Sequence, residues 1–213
     1  DVQNWILQKS GTFDNQAAQD AASTLQDWNN KGYMPEGVNA VDASTALSRF
    51  CNGEGLFFPS GNWNLDTVAK ALGDDVQFFA FPGATSEDEP NVAANAGAFY
   101  GIPVNAKNRD AAAAFLDYTQ SAEAQQIIVD NSGYLPKSST LDLKANSALQ
   151  QSMFDAYADV LTSGHTSDFI NNATAGMQSS GLIPNFQLLL DNSITPQEFT
   201  KNVQAQYDKE AKQ

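Results

Sequence analysis

The chain has 213 residues, 42% apolar and 10% aromatic, enough to bury one substantial core or one and a half. Its 25 acidic residues against 11 basic ones give a net charge of −14, which argues against nucleic acid or an anionic membrane as a direct partner, because both need basic surface. No apolar run approaches the roughly 20 residues of a membrane span, and a single Cys excludes an internal disulfide framework.

Asn15 to Lys31 reads as a helix: Ala17, Ala18, Ala21, Ala22, Leu25 and Trp28 recur at three-to-four spacing, and Gly32 stops it. A second helix is expected over 42–51, with Ala43, Ala46, Leu47 and Phe50 on one face and a stop at Asn52-Gly53. Cys51 continues that apolar face, which makes it a core thiol rather than a reactive one. A short apolar strand, Leu56-Phe57-Phe58, follows. The chain then turns through Ser60-Gly61-Asn62 and presents Trp63. A buried strand does not normally end in a polar, Gly-bearing turn that carries a large aromatic. Such a turn suits a ligand, because the strand fixes the backbone while the Trp face stays reachable.

A third helix is predicted over 64–72, with Leu65, Val68, Ala69 and Leu72 inward and Gly73 as its stop. Val76 to Phe81 reads as an aromatic-rich strand. Pro82 to Asn95 is a polar loop whose Glu87-Asp88-Glu89-Pro90 run lacks the spacing and the central Gly of a calcium loop. Phe99 to Val104 reads as another strand. Asn108 is placed to cap a helix from Arg109 to Thr119, and Ser121 one from Ala122 to Asn131, with Gly133 and Pro136 closing the pair. Asn146 to Leu161 is helical, and 164–181 is polar and loop-like, with room for a short helix. Pro184 is tolerated in the first turn of a helix from Leu182 to Asp191. The last helix has the best start signal: Thr195 as N-cap, Pro196 at the first position and Glu198 completing a capping box.

Catalysis has little support in the residues. His165 is the only His and has no identifiable acid–base partner. No His/Cys cluster suits zinc, no Gly-rich loop suits phosphate, and no nucleophile elbow is present, so neither metal nor cofactor is expected. A carboxylate pair for glycoside hydrolysis is defined in space rather than in sequence and stays open among the 25 acids. Asn172-Ala173-Thr174 matches a glycosylation sequon by pattern alone.

Several elements together resemble family 1 extracellular solute-binding proteins, the sugar receptors of ABC importers, a family that includes maltose-binding protein. They are Lys31-Gly32-Tyr33, then Phe50 to Gly55, then Gly61-Asn62-Trp63. Tyr100-Gly101-Ile102-Pro103 and Asn105 to Asn108 follow, ahead of helices carrying Ala114-Phe115-Leu116 and Ser121 to Gln125. Gly133-Tyr134-Leu135-Pro136 and Ile194 to Glu198 complete the series. Each piece is weak, whereas their order and spacing across most of the chain are specific to the family, though not to a ligand.

The resemblance implies an α/β, helix-rich fold: the C-terminal part of a periplasmic-binding-protein type II-like two-lobe architecture. On that pattern 1–95 and 147–213 belong to an incomplete second lobe, and 96–146 is a crossover segment belonging to the first. It also implies a receptor that binds a mono- or oligosaccharide non-covalently in an inter-lobe cleft, without catalysis, and delivers it to ABC permease subunits. The partners implied are the sugar, the permease and an N-terminal lobe of the same protein outside these residues. The location implied is extracytoplasmic, as a periplasmic protein or an anchored lipoprotein. The sequence opens without an initiator Met, basic n-region or h-region, which does not argue for the cytoplasm if the chain is a fragment or a processed product.

Trp63 is the leading ligand residue on this reading, since sugars present C–H faces that pack on aromatic rings. Its alternative is a core Trp closing a strand. Asn62 offers an amide to adjacent hydroxyls or, equally, caps the following helix. Ser60 and Gly61 serve the backbone geometry of the turn. Phe99 and Tyr100 fall at the crossing, where strand alternation turns one of them to the core. Tyr134 either reaches the cleft or packs on Pro136. Gln178 lies where many members carry a sugar-stacking aromatic, and this chain has none between Phe169 and Phe186, which leaves ligand size and identity open. Aromatic and amide residues favour carbohydrate over an anion, which would call for Arg. Arg49 and Arg109 are the only arginines and sit on helices. The rival reading is a carbohydrate-active enzyme or its accessory binding domain.

Overall fold

A computed structural model describes residues 2–83, 85, 91–94, 100–134, 142–163 and 165–211. The described helices are α1 (Val2–Ile6), α2 (Gln16–Asn30), α3 (Ala43–Cys51), α4 (Leu65–Leu72), α5 (Arg109–Tyr118), α6 (Ala122–Ser132), α7 (Ala148–Ser163), α8 (Ile183–Leu190) and α9 (Pro196–Glu210). Two short strands, β1 (Val92–Ala93) and β2 (Thr166–Ser167), pair as a ladder. Among the described residues no helix is long and apolar enough to cross a membrane.

Local chemistry accounts for four of the helix starts. The side chains of Asn15, Asp42, Ser121 and Thr195 each accept a backbone N–H from the first turn of α2, α3, α6 and α9. At α9 the capping box is complete: the Thr195 hydroxyl accepts the Glu198 N–H at 3.2 Å, and the Glu198 carboxylate accepts the Thr195 N–H at 2.8 Å. Those bonds hold the Glu198 carboxyl below the usual carboxylate range. Asn108 precedes α5 without a side-chain cap, against expectation, because its backbone is not extended (φ −124°, ψ 60°) as a capping residue's usually is.

The chain forms two compact units. The first comprises 1–41, 93–95 and 166–213, the second 42–92 and 96–165. In the first, Trp5, Ile6, Ala22, Met177, Leu182, Leu189, Phe199 and Val203 form a closed core. Trp5 is 1% exposed. Its ring stacks on Tyr207 with centroids 4.5 Å apart, and its Nε1 donates to Gln204 Oε1 at 3.0 Å. The Tyr207 hydroxyl donates to the Trp5 carbonyl at 3.0 Å, and burial raises its pKa. From α2, the amides of Gln26 and Asn29 donate to the carbonyls of Leu189 and Leu190, groups that the end of α8 cannot satisfy itself.

In the second unit Leu65, Val68, Leu149 and Met153 join α4 to α7, with Phe50, Val76 and Phe78 packed around them. Gln150 is fully buried and satisfied: its Nε2 donates to the Val129 carbonyl at 2.8 Å, and its Oε1 accepts the Asn146 N–H at 2.7 Å. Cys51 is half-buried against this cluster, as a core thiol should be.

Three expected strands differ from the structure. Neither 56–58 nor 76–81 is a strand, and the described part of 99–104 is irregular. Val76 to Phe81 keeps strand-like alternation of half-buried and exposed positions. What is absent among the described residues is a neighbour: no backbone–backbone hydrogen bond joins 55–60 or 76–80 to another segment. A strand is completed by its partner, which local sequence does not supply. The region read as loop-like with room for a short helix, 164–181, contains β2, a 3-10 turn at Ile170–Asn172 and the start of a π-helical turn, Met177–Leu182. The acidic run 87–90 lies outside the described residues.

Candidate functional site

The second unit brings two sequence-distant turns together. The first is Ser60 to Trp63, leading into α4 through the 3-10 turn Asn62–Asn64. The second is Gly133-Tyr134, after α6. Gly133 has φ +69°, a left-handed conformation that ends the helix. A Cβ there would lie 2.9 Å from Leu65 Cβ and 3.3 Å from the Asn62 carbonyl oxygen. Glycine is therefore required twice, by conformation and by contact. The contact seats the 133–134 turn on the start of α4.

Trp63 is 52% exposed. Its six-membered ring lies over Gly61: a Cβ at Gly61 would sit 2.8 Å from Cε3 and nearer still to Cζ3 and Cη2. Gly61 is extended (φ −133°, ψ −177°), a conformation open to any residue, so the indole and not the backbone demands glycine. One part of the ring is fixed on the turn while the rest stays accessible. A stacking platform needs that combination.

Asn62 is half-buried, and its carbonyl accepts the Leu65 N–H. Its side-chain amide does not cap α4, which decides one of its two readings: the amide has no hydrogen bond to a described residue. Ser60 is exposed, and its hydroxyl accepts from Asn64 Nδ2 at 2.9 Å, a bond that braces the turn. Tyr134 is 49% exposed, with its backbone N–H on Ser132 Oγ at 3.3 Å. None of these residues is charged, and the nearest carboxylate in sequence, Asp66, is paired with Lys70 at 2.7 Å.

The other candidates are placed differently. Tyr100 is exposed in an irregular segment of the second unit. Phe99 lies outside the described residues. Gln178 belongs to the first unit, exposed on the π-helical turn. Gly181 permits that turn: a Cβ there would meet Met177 Sδ at 2.8 Å and Gln206 Cγ at 3.4 Å. In the sequon pattern Asn172 is exposed and its amide donates to Asp168 Oδ1 at 2.9 Å, while Ala173 and Thr174 are buried. Trp5 is a core residue, and Trp28, on the apolar spacing read for its helix, is half-buried.

An open groove of about 470 Å³ lies in the first unit, lined by Asn29, Met34, Glu36, Asn39 and Asp191 among others. Its amides are already committed, Asn29 to the Leu190 carbonyl and Asn39 to the Gln187 carbonyl, which makes it a packing seam rather than a prepared site.

The sequence reading missed the Gly133–Leu65 contact and the seating of Trp63 on Gly61. Gly133 was legible as a helix stop, and nothing local indicated what it touches.

A family model described as bacterial extracellular solute-binding protein matches residues 3–155. The chain belongs to this family. Among solved structures, one described as "Chitin oligosaccharide binding protein" superposes with a TM-score of 0.79 at 18% sequence identity, over 99% of this chain and 53% of its own. That likeness fixes the fold as the helix-rich α/β solute-binding type. The chain spans about half the length of that structure. No curated protein matches the chain significantly.

Proposed function

We propose that this solute-binding chain is part of the receptor of an ABC importer that binds a mono- or oligosaccharide without chemistry and passes it to the membrane permease. The observation that carries the reading is the half-exposed Trp63 indole held on Gly61, next in sequence to an Asn62 amide with no hydrogen bond to a described residue, with the exposed Tyr134 on the turn seated against Asn62. An uncharged set of aromatic faces and amide groups matches the C–H faces and hydroxyls of a sugar. The similarity to a chitin oligosaccharide binding protein supports an oligosaccharide as the class of ligand.

The proposed ligand residues are Trp63, Asn62 and Tyr134, with Ser60 and Gly61 setting the turn and Tyr100, Phe99 and Gln178 contributing from elsewhere. In the complete receptor the 60–63 and 133–134 turns, which touch within one unit, would form one wall of the site, with the ligand held against a further lobe that closes by a hinge. The family's extracellular description supports an extracytoplasmic place, in the periplasm or on a lipid anchor.

The test is calorimetry on the complete gene product with a panel of oligosaccharides, chitin oligosaccharides included. Trp63→Ala is expected to weaken binding at least about tenfold, equivalent to about 1.4 kcal/mol, with the fold intact. Unchanged affinity removes Trp63 from the site. Chromatography of the recovered ligand should return it intact, and shortened products would favour a carbohydrate-active enzyme instead.

A further inference from the structure

An asparagine followed by a small residue can react with its own backbone. The next backbone nitrogen attacks the side-chain carbonyl carbon, and Gly is the fastest neighbour because it has no Cβ to hinder the approach. The sequence has one Asn-Gly pair, Asn52-Gly53, and three Asn-Ser pairs, Asn131-Ser132, Asn146-Ser147 and Asn192-Ser193. Their surroundings separate them. The Asn131 amide donates to the Ile127 carbonyl at 2.8 Å, that of Asn146 to the Asp130 carbonyl at 2.8 Å, and that of Asn192 to Asn30 Oδ1 at 3.0 Å. Asn52 is exposed, and its side-chain amide makes no hydrogen bond to a described residue.

The backbone of the Asn-Gly pair is held by the end of α3. Gly53 follows the helix in the left-handed region, at φ +83°. Its N–H donates to the Phe50 carbonyl at 2.9 Å, and the Glu54 N–H donates to the Arg49 carbonyl at 3.0 Å. These two bonds close a helix that ends on glycine. They also govern the reaction. A five-membered imide needs the Gly53 nitrogen on the Cβ side of the Asn52 Cα–C bond. At ψ 5° that nitrogen eclipses the Asn52 nitrogen instead. The ring closes only after the two bonds open and ψ turns.

We propose that Asn52 is a modification site, converted without an enzyme to aspartate and isoaspartate through an imide with Gly53, at a rate set by local opening of the α3 end. The Gly53 nitrogen bonds to Asn52 Cγ and gives up its proton, the Cγ–Nδ2 bond breaks, and ammonia leaves with that proton. Water then opens the imide. Attack at Cγ leaves aspartate; attack at the backbone carbonyl carbon leaves isoaspartate, whose main chain runs through the side chain. Either product puts a carboxylate at the negative end of α3, where it is unfavourable. Isoaspartate also lengthens the main chain by one carbon between Cys51 and Gly53, so the two closing bonds no longer both form. Phe50 and Cys51, which pack on the Leu65 and Met153 cluster, are held by that helix end. The inference is independent of the ligand.

The test ages the complete gene product at mildly alkaline pH, folded and in guanidinium chloride. Trypsin then releases the peptide from Phe50 to Lys70, and chromatography with mass spectrometry separates its asparagine, aspartate and isoaspartate forms. In the folded protein Asn52 is expected to convert before any other asparagine of these 213 residues, at least tenfold slower than in the denaturant. Ageing should lower the melting temperature of the unsubstituted protein. It should leave that of Asn52→Gln in place, because the longer side chain would have to close a six-membered ring. Earlier conversion of another asparagine, no conversion at 52 in the folded protein, or equal rates folded and denatured overturns the proposal.

Discussion

The two units treat their aromatic residues in opposite ways. In the first, Trp5, Phe13, Phe199 and Tyr207 pack on one another, and Tyr33 is the exposed aromatic among the described residues. In the second, Phe57, Trp63, Phe79, Phe81, Tyr100, Phe115, Tyr118 and Tyr134 are all exposed. The first core is closed by segments from the two ends of the chain, α1 and α2 with α8 and α9. The second builds a sound inner cluster around Leu65 and Met153 and leaves an aromatic exterior. The difference teaches that exposure has more than one meaning. Trp63 is exposed but anchored on a glycine, as a ligand platform needs, whereas Phe57 and Phe79 are exposed on segments that make no backbone–backbone hydrogen bond to another described segment.

The strongest test of the contrast sets tryptophan against tryptophan. Trp5→Ala should lower unfolding free energy by roughly 3–5 kcal/mol, through the lost stack, the lost indole hydrogen bond and the cavity left behind. Trp63→Ala should change it by only about 0.5 kcal/mol. Urea melts of both variants decide, and comparable losses would erase the distinction between core and platform.

Next in size is Gly133→Ala, expected to cost roughly 1–3 kcal/mol because φ is +69° and Leu65 stands in the way of the new Cβ. It should also weaken ligand binding in the complete protein, since the displaced turn carries Tyr134 and touches Asn62. A melt and an affinity both at wild-type values would show that the two turns are not held by this contact.

Thr195→Ala opens the capping box of α9 and should cost roughly 0.5–2 kcal/mol, with ligand affinity unchanged. Differential scanning calorimetry gives the first quantity and titration the second. An unaltered transition would mean that the packing of Phe199 and Val203 alone fixes the helix start.

The smallest effect is acid sensitivity of the first unit. The Glu198 carboxyl is held low by Thr195, and that of Glu210 by the nearby Thr174 side chain, whose hydroxyl completes no hydrogen bond, and by the Gly176 N–H, which donates at 2.8 Å. A carboxyl with a depressed folded pKa stabilises fully above its unfolded value, about 4.3 for Glu, and loses that contribution as pH falls from there through the folded value. Melting temperatures measured downward from pH 5 should fall, and Glu198→Gln with Glu210→Gln should flatten the decline. An equally steep decline in the double variant would assign the acid sensitivity to other groups.

Much of this protein was legible in the sequence, for identifiable reasons. The caps at Ser121 and Thr195 and the stop at Gly133 were readable because a helix satisfies its backbone within four residues, whereas Asn108, read as a cap, makes no side-chain cap. The family resemblance was readable because its elements keep their order along the chain. Which alanines of α2 face inward was only partly so: Ala18 and Ala22 do, while Ala17 and Ala21, equally apolar, are exposed, because the first core sets the rotation of the helix. The strands at 56–58 and 76–81 show where local reading stops. Their alternation is a property of the sequence, but a ladder belongs to two segments at once. The Trp63 ring on Gly61 and Gly133 on Leu65 are decided the same way, by side chains and backbone that close packing sets against each other with no room for a Cβ between them. The sequence by itself determined most of the helices from α2 onward, several of their ends and the kind of protein, because those rest on near neighbours or on order, while α1 was not read from it. Tertiary structure alone decided which aromatics are buried, which are anchored and which are left open, because burial depends on what the rest of the molecule places opposite.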